Sequence, residues 1–165
     1  MMSRGFILCI EDDVVDVWII RRAFKELNRP NTLVVVENGE EAWTYLRTSE
    51  IRPNLILLDL QTHEMDGLAF LQALKQHVMF KKIPVIVFTT SDEELDIQES
   101  YRWGAAGYVV KPLEYAQYVE TLRVIMMYWT YCKLPRAIES IDRASLPAKD
   151  GNMNSSYQPV CRDRE

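Results

Sequence analysis

Cysteine is sparse and scattered. Cys9, Cys132 and Cys161 are the three in the chain, and none belongs to a CxxC pair or sits in a cluster with histidine. An odd, widely spaced set excludes a simple disulfide framework, and the missing cluster argues against structural zinc. All three thiols read as chemically quiet, with Cys9 in a buried strand and Cys161 exposed. Basic charge is also short of a block. Nineteen Lys and Arg face 24 Asp and Glu, for a net charge of −5, so no direct nucleic-acid partner is expected. No apolar run is long enough to span a bilayer, and the N-terminus lacks the layout of a signal peptide. The expectation is a cytoplasmic protein with no membrane contact. Internal repeats and long low-complexity tracts are missing too.

What is present is enough apolar content for one core, 48%, arranged in short runs. Strands are predicted at 6–10, 32–36, 55–58, 85–88 and 108–110. Helices are predicted at 16–27, 39–46, 67–77, 92–103 and 113–132. In the first helix Trp18, Ile19, Ala23 and Leu27 form the expected apolar face, and Asn28-Arg29-Pro30-Asn31 ends it. In the third, Leu68, Leu71 and Leu74 are expected inward. Ser91, with Glu94 three residues on, reads as the cap of the fourth. Continuous apolar strands alternating with helices mean an α/β fold, a doubly wound parallel sheet covered on both faces. Residues 1–135 are expected to form this domain. The stretch 136–165, rich in Ser, Asn, Pro and charge, reads as a largely flexible extension too small for an output domain.

In such sheets the functional crevice lies at the carboxyl ends of the strands. Glu11, Asp12, Asp59, Thr89 and Lys111 all fall at or just past predicted strand ends, so scattered positions gather in one pocket. Two like charges about 4 Å apart repel by about 4 kcal/mol at an effective dielectric near 20. An acidic group of this kind needs a cation, and all-oxygen ligation suits Mg²⁺. A carboxylate beside a cation can accept a phosphoryl group as an acyl phosphate. Lys111 and the Thr89 hydroxyl then supply charge and a donor to its oxygens.

Five pieces carry a resemblance: Ile7-Leu8-Cys9-Ile10-Glu11-Asp12-Asp13, Leu57-Leu58-Asp59, Met65-Asp66-Gly67, Val87-Phe88-Thr89-Thr90, and Gly104-Ala105-Ala106-Gly107-Tyr108 running into Lys111-Pro112. Over residues 4–135 the chain resembles a response-regulator receiver domain of two-component signalling. The resemblance implies a flavodoxin-like sheet of five strands in the order 2-1-3-4-5, with five helices. It implies that Asp59 is the phospho-acceptor for a histidine kinase. It assigns Mg²⁺ to Glu11, Asp12, Asp59 and the Gln61 backbone carbonyl. Thr89 and Tyr108 become the switch pair, and Lys111 pairs with the phosphate, with a cis bond to Pro112. One departure is the absence of the family's usual proline near His63.

A narrower likeness lies in Leu58-Asp59-Leu60, in Phe88-Thr89-Thr90-Ser91-Asp92-Glu93-Glu94, and in Tyr128-Trp129 before Leu134-Pro135. These are similar to stand-alone receivers partnered with bacterial phytochrome-type kinases. The chain is thus expected to be a phospho-accepting signalling protein rather than an enzyme. The alternative is a degenerate receiver acting as a phosphorylation-independent adaptor. A flavodoxin-like electron carrier is disfavoured because Glu11-Asp12-Asp13 stands where an FMN phosphate loop belongs. An aspartyl phosphatase would want an acid two residues after Asp59, where Gln61 stands. Asp13 reads as a helix cap, and His63 and His77 as ordinary polar residues. About 14 of the 20 residues at 113–132 are apolar, too many for one core stripe. Val119, Leu122, Ile125 and Trp129 suffice for the core. Tyr115, Tyr118, Met126 and Tyr128, with Met127 and Tyr131, are left for an interface, expected to be a homodimer.

Overall fold

Five parallel strands run β1 Ile7–Ile10, β2 Leu33–Val36, β3 Leu55–Leu58, β4 Val85–Thr89 and β5 Gly107–Val110. They alternate with helices α1 Val14–Glu26, α2 Gly39–Thr48, α3 Gly67–Gln76, α4 Glu94–Arg102 and α5 Tyr115–Tyr131. The sheet order is β2-β1-β3-β4-β5, the expected one. This computed structural model describes residues 5–29, 32–62 and 66–135. The readings placed on His63, Cys161 and the 136–165 extension lie outside them.

Strand residues alternate between two apolar clusters, as a period of two requires. Leu8, Ile10, Ile56, Leu58, Val85 and Val87 pack with Ala42 and Leu46 of α2 and with Phe70, Leu71 and Leu74 of α3. Ile7, Cys9, Leu55, Leu57, Ile86 and Phe88 pack with Ile20, Ala23 and Phe24 of α1 and with Tyr118, Leu122 and Ile125 of α5. Both faces are covered, so the strands carry no polar alternation.

Helix ends follow local chemistry. Asp13 caps α1, its Oδ1 accepting from the N–H groups of Val15 and Asp16 at 2.9 Å each. Asn28 ends α1 in the left-handed region at φ 57°, a conformation asparagine tolerates. Asn38 accepts from the Glu41 N–H at 2.9 Å, and Glu41 in turn accepts from Glu37. Gly104, at φ 86°, closes α4 as the left-handed residue after the cap.

Three sequence expectations shift. Trp18 is 59% exposed, and Ile20, Ala23 and Phe24 carry the core face of α1. The stripe runs through 20, 23, 24 and 27, and Trp18 lies off it under an Arg22 guanidinium 5.4 Å from the ring centroid. Ser91 does not cap α4. That helix starts at Glu94 behind Glu93, with no side-chain cap, because the Ser91 hydroxyl donates to Asp96 Oδ2 at 2.6 Å. Tyr118, expected at an interface, is 3% exposed. Residues 118, 122 and 125 form one helical stripe, and Tyr118 meets Phe88 edge-on at 5.1 Å.

Candidate functional site

The ladder fixes the site. Ile10 pairs with both Val36 and Leu58, Leu58 with Val87, and Thr89 with Val110. Glu11, Asp59, Thr89 and Lys111 therefore emerge at one edge, where the chain turns one way from β1 and the other from β3. Backbone bonds continue past the strands. The Glu11 N–H donates to Val36 O at 2.9 Å, that of Asp59 to Ile10 O at 3.1 Å, and that of Lys111 to Thr89 O at 2.7 Å.

All four side chains are buried. Lys111 Nζ sits among three carboxylates, 2.5 Å from Glu11 Oε2, 2.6 Å from Asp16 Oδ2 and 2.6 Å from Asp59 Oδ2. An ammonium has three N–H donors, and each finds one carboxylate. Asp59 Oδ1 accepts from the Thr89 hydroxyl at 2.7 Å and from the Gln61 N–H at 3.0 Å. Both oxygens of the Asp59 carboxylate are thus met by donors, two on Oδ1 and one on Oδ2.

Electrostatics follow from that crowding. Burial raises the pKa of Asp59, but Lys111 and the donors outweigh it and hold the carboxyl below its ordinary value. Glu11 goes the other way: burial and the neighbouring Asp59 push it up to about 7 against the pull of Lys111. One ammonium cannot balance three carboxylates, and the deepest of them takes the proton most readily. The surrounding acids, Glu11 first, overcome burial and raise Lys111.

Glycine at 67 lets α3 start against Asp59. A Cβ there would lie 2.6 Å from Leu60 Cα and 2.8 Å from Asp59 O. On the other side, Thr90 Oγ1 donates to Gln61 Oε1 at 3.0 Å, so the residues flanking Asp59 and Thr89 are tied across the pocket. Tyr108 is half-buried against the first apolar cluster, and its hydroxyl donates to Ser91 O at 3.0 Å. The switch pair expected at Thr89 and Tyr108 is thereby linked through one short loop.

Several readings stand next to this geometry. Asp13 is the helix cap, as expected. The acids whose oxygens lie within 4.8 Å of one another are Glu11, Asp16 and Asp59. Asp12, expected in the ligand pair, is half-buried and is not one of those three. Asp16 was missed because an acid in a helix's first turn reads as a partner of the helix dipole. Its signal was its place three residues after the cap Asp13, beside the strand-end acids. The Lys111–Pro112 bond is trans, correcting the cis form the resemblance implied. Trans is the intrinsic preference of X–Pro by about 0.5–1 kcal/mol, and Lys111 reaches all three acids with it. His77 is the α3 cap residue, stacked on Phe80 at 4.4 Å, a packing role. Cys9 is buried, and burial raises its thiol pKa, which keeps it unreactive. On α5, Tyr115 is half-buried with its hydroxyl on Glu26 at 2.9 Å, and Met126 packs against the second cluster. Val124, Met127, Tyr128 and Tyr131 are exposed.

No helix among the described residues is long and apolar enough to cross a membrane. The convergence of Glu11 and Asp59 oxygens, with Asp12 next in sequence, offers the hard oxygen donors that a divalent ion takes.

Comparison with known proteins identifies the family. The sequence model of the response regulator receiver domain matches residues 7–123. The chain is 32% identical to the probable methanogenesis regulatory protein FilR2 of Methanothrix harundinacea, over 74% of this chain and 82% of that protein. It is 31% identical to the response regulator Rcp1 of Synechocystis, over 74% and 87%. The Mn²⁺-bound Rcp1 structure superposes with a TM-score of 0.70 at 30% identity, over 80% of this chain and 99% of that one. The phosphorylated cyanobacterial phytochrome response regulator RcpA superposes at 0.75 with 33% identity, over 81% and 100%. With the strand-end acids, the buried lysine and the hydroxyl all at the same sheet edge, the chain belongs to the response regulator receiver family.

Proposed function

We propose that this receiver works as a stand-alone phospho-acceptor: a histidine kinase of the phytochrome class transfers a phosphoryl group to Asp59, and the signal leaves through a protein–protein interface. The observation that carries the acceptor role is the Asp59 carboxylate, buried yet held ionised between Lys111, Thr89 and the Gln61 amide. The chain's likeness to the phytochrome response regulator RcpA supports the phytochrome link.

The step is a displacement at phosphorus. An Asp59 oxygen attacks, the P–N bond of the kinase phosphohistidine breaks, and its electron pair returns to the imidazole. An acyl phosphate forms on Asp59. Mg²⁺ held by Glu11, Asp12, Asp59 and the Gln61 carbonyl would offset charge on the transferring oxygens. Lys111 gives up its bond to Asp59 Oδ2 and pairs with a phosphoryl oxygen. The Thr89 hydroxyl turns from Asp59 Oδ1 to another. That movement pulls on the loop carrying Ser91, and the Tyr108–Ser91 bond passes it to the face of α4, β5 and α5. The exposed stripe Val124, Met127, Tyr128 and Tyr131 supports a homodimer through α5.

Labelling with acetyl phosphate or a cognate kinase tests the acceptor. Wild type should gain stoichiometric, acid-stable, base-labile phosphate, and Asp59→Asn none. Full labelling of Asp59→Asn would overturn the assignment, and an unlabelled wild type would favour the adaptor. Sedimentation that shows only monomer at tens of micromolar, with and without phosphate, would sink the dimer.

A further inference from the structure

Asp16 has no role in the phosphoryl step above, yet it makes one of the three bonds to Lys111. Its side chain is 24% exposed, against 4% for Glu11 and 6% for Asp59. Two of the three partners of Lys111 are the carboxylates a divalent ion would need. An ion entering between Glu11 and Asp59 must displace the ammonium from both. A buried ammonium that loses its partners carries a heavy desolvation cost. Asp16 removes that cost. It belongs to α1, anchored by the Asp13 cap, and stands on the outer side of the lysine.

We infer that Asp16 is a positioning residue for Lys111: it keeps the ammonium docked on α1 when a divalent cation takes the Glu11 and Asp59 oxygens. This rests on the receiver reading and deepens it. Without Asp16, Lys111 loses one of three carboxylate bonds in the ion-free state but its last one in the ion-bound state. The loss falls more heavily on the bound state, where the ammonium is left unpaired, so ion affinity drops. A charge-assisted hydrogen bond is worth about 1.5–3 kcal/mol, which converts to about tenfold to a hundredfold in affinity. Docked on Asp16, the lysine also stays within one side-chain swing of the phosphoryl position.

Calorimetric titration with Mg²⁺ tests this on the full chain. Asp16→Asn, which keeps the shape and removes the charge, should bind Mg²⁺ at least tenfold more weakly than wild type, and Asp16→Glu should recover most of the loss. In a Lys111→Met background the effect of Asp16→Asn should shrink to about threefold or less, because the lysine it serves is gone. A tenfold loss that persists without Lys111 would mean that Asp16 acts on the ion itself, and the inference would fail. So would an unchanged affinity in Asp16→Asn. Nitrogen NMR of the Lys111 ammonium in saturating Mg²⁺ gives a reading independent of the double variant. Its protons should stay protected from exchange in wild type and lose protection in Asp16→Asn; equal protection in both overturns the proposal. A wild type with no Mg²⁺ affinity at all would overturn the receiver reading and this inference together, whereas normal wild-type binding with an indifferent Asp16 removes this inference alone.

Discussion

Lys111 decides the charge state of the whole pocket. Replacing it with methionine leaves Glu11, Asp16 and Asp59 facing each other with no ammonium among them. Breaking a buried ion pair costs about 3–5 kcal/mol in general. We expect Lys111→Met to lose about 3 kcal/mol in urea unfolding without divalent ions, and to regain part of it with Mg²⁺. Glu11 sets a pH dependence. Its folded pKa of about 7 lies above the ordinary 4.5. Its contribution to stability is therefore fully present below about pH 4.5 and is lost as pH rises through about 7. Metal binding needs the carboxylate, so it competes with that proton. Mg²⁺ affinity should climb by up to about tenfold per unit below pH 7 and level off above it, measured by titration at about pH 6, 7 and 8. A flat profile would contradict the raised Glu11. Single residues were legible where they close an apolar run: Asp59, Glu11, Thr89 and Lys111 all do. Asp16 does not, since its place is set by a helix turn and a cap that only the folded chain brings to the lysine.

At the level of elements, the register makes the site and the glycine at 67 lets α3 approach it. Gly67→Ala must move the backbone of Asp59 and Leu60, and overpacking of this kind costs about 1–3 kcal/mol. Thermal unfolding should show that loss, and acetyl phosphate labelling should slow with it. A variant as stable and as fast as wild type would show that α3 can slide without cost. Asn38→Ala removes the α2 cap and should cost about 1 kcal/mol in thermal unfolding. All ten elements were legible from apolar periodicity. Boundaries were less so, because caps chosen by side-chain competition, such as Ser91 turning to Asp96, leave no periodic trace. Trp18 and Tyr118 exchanged expected places for a related reason. An aromatic suits a core or a surface equally, and the burial of a helical position depends on the phase of the stripe.

For the molecule as a whole, the sheet buries both faces, and the surplus of α5 resolves into two stripes. One, Tyr118, Leu122 and Ile125, belongs to the core. The other, Val124, Met127, Tyr128 and Tyr131, faces out at spacings of three and four. Tyr128→Glu places a charge in the middle of the outer stripe. It should shift sedimentation toward monomer while moving the unfolding midpoint by no more than about 2 °C, as surface substitutions do. A wild-type-like oligomer in that variant would place the contact elsewhere.

The backbone amides of Glu11, Asp59 and Lys111 are the last rungs of the parallel ladder. Glu11 and Asp59 thus follow the buried central strands β1 and β3, whereas Lys111 follows the half-exposed edge strand β5. The Glu11 and Asp59 amide protons should exchange with solvent close to the rate of global unfolding, and those of the loop after Thr89 through local opening. A phosphoryl group on Asp59, as proposed, would push against the buried strands on one side, and the side left to yield would be the loop after Thr89.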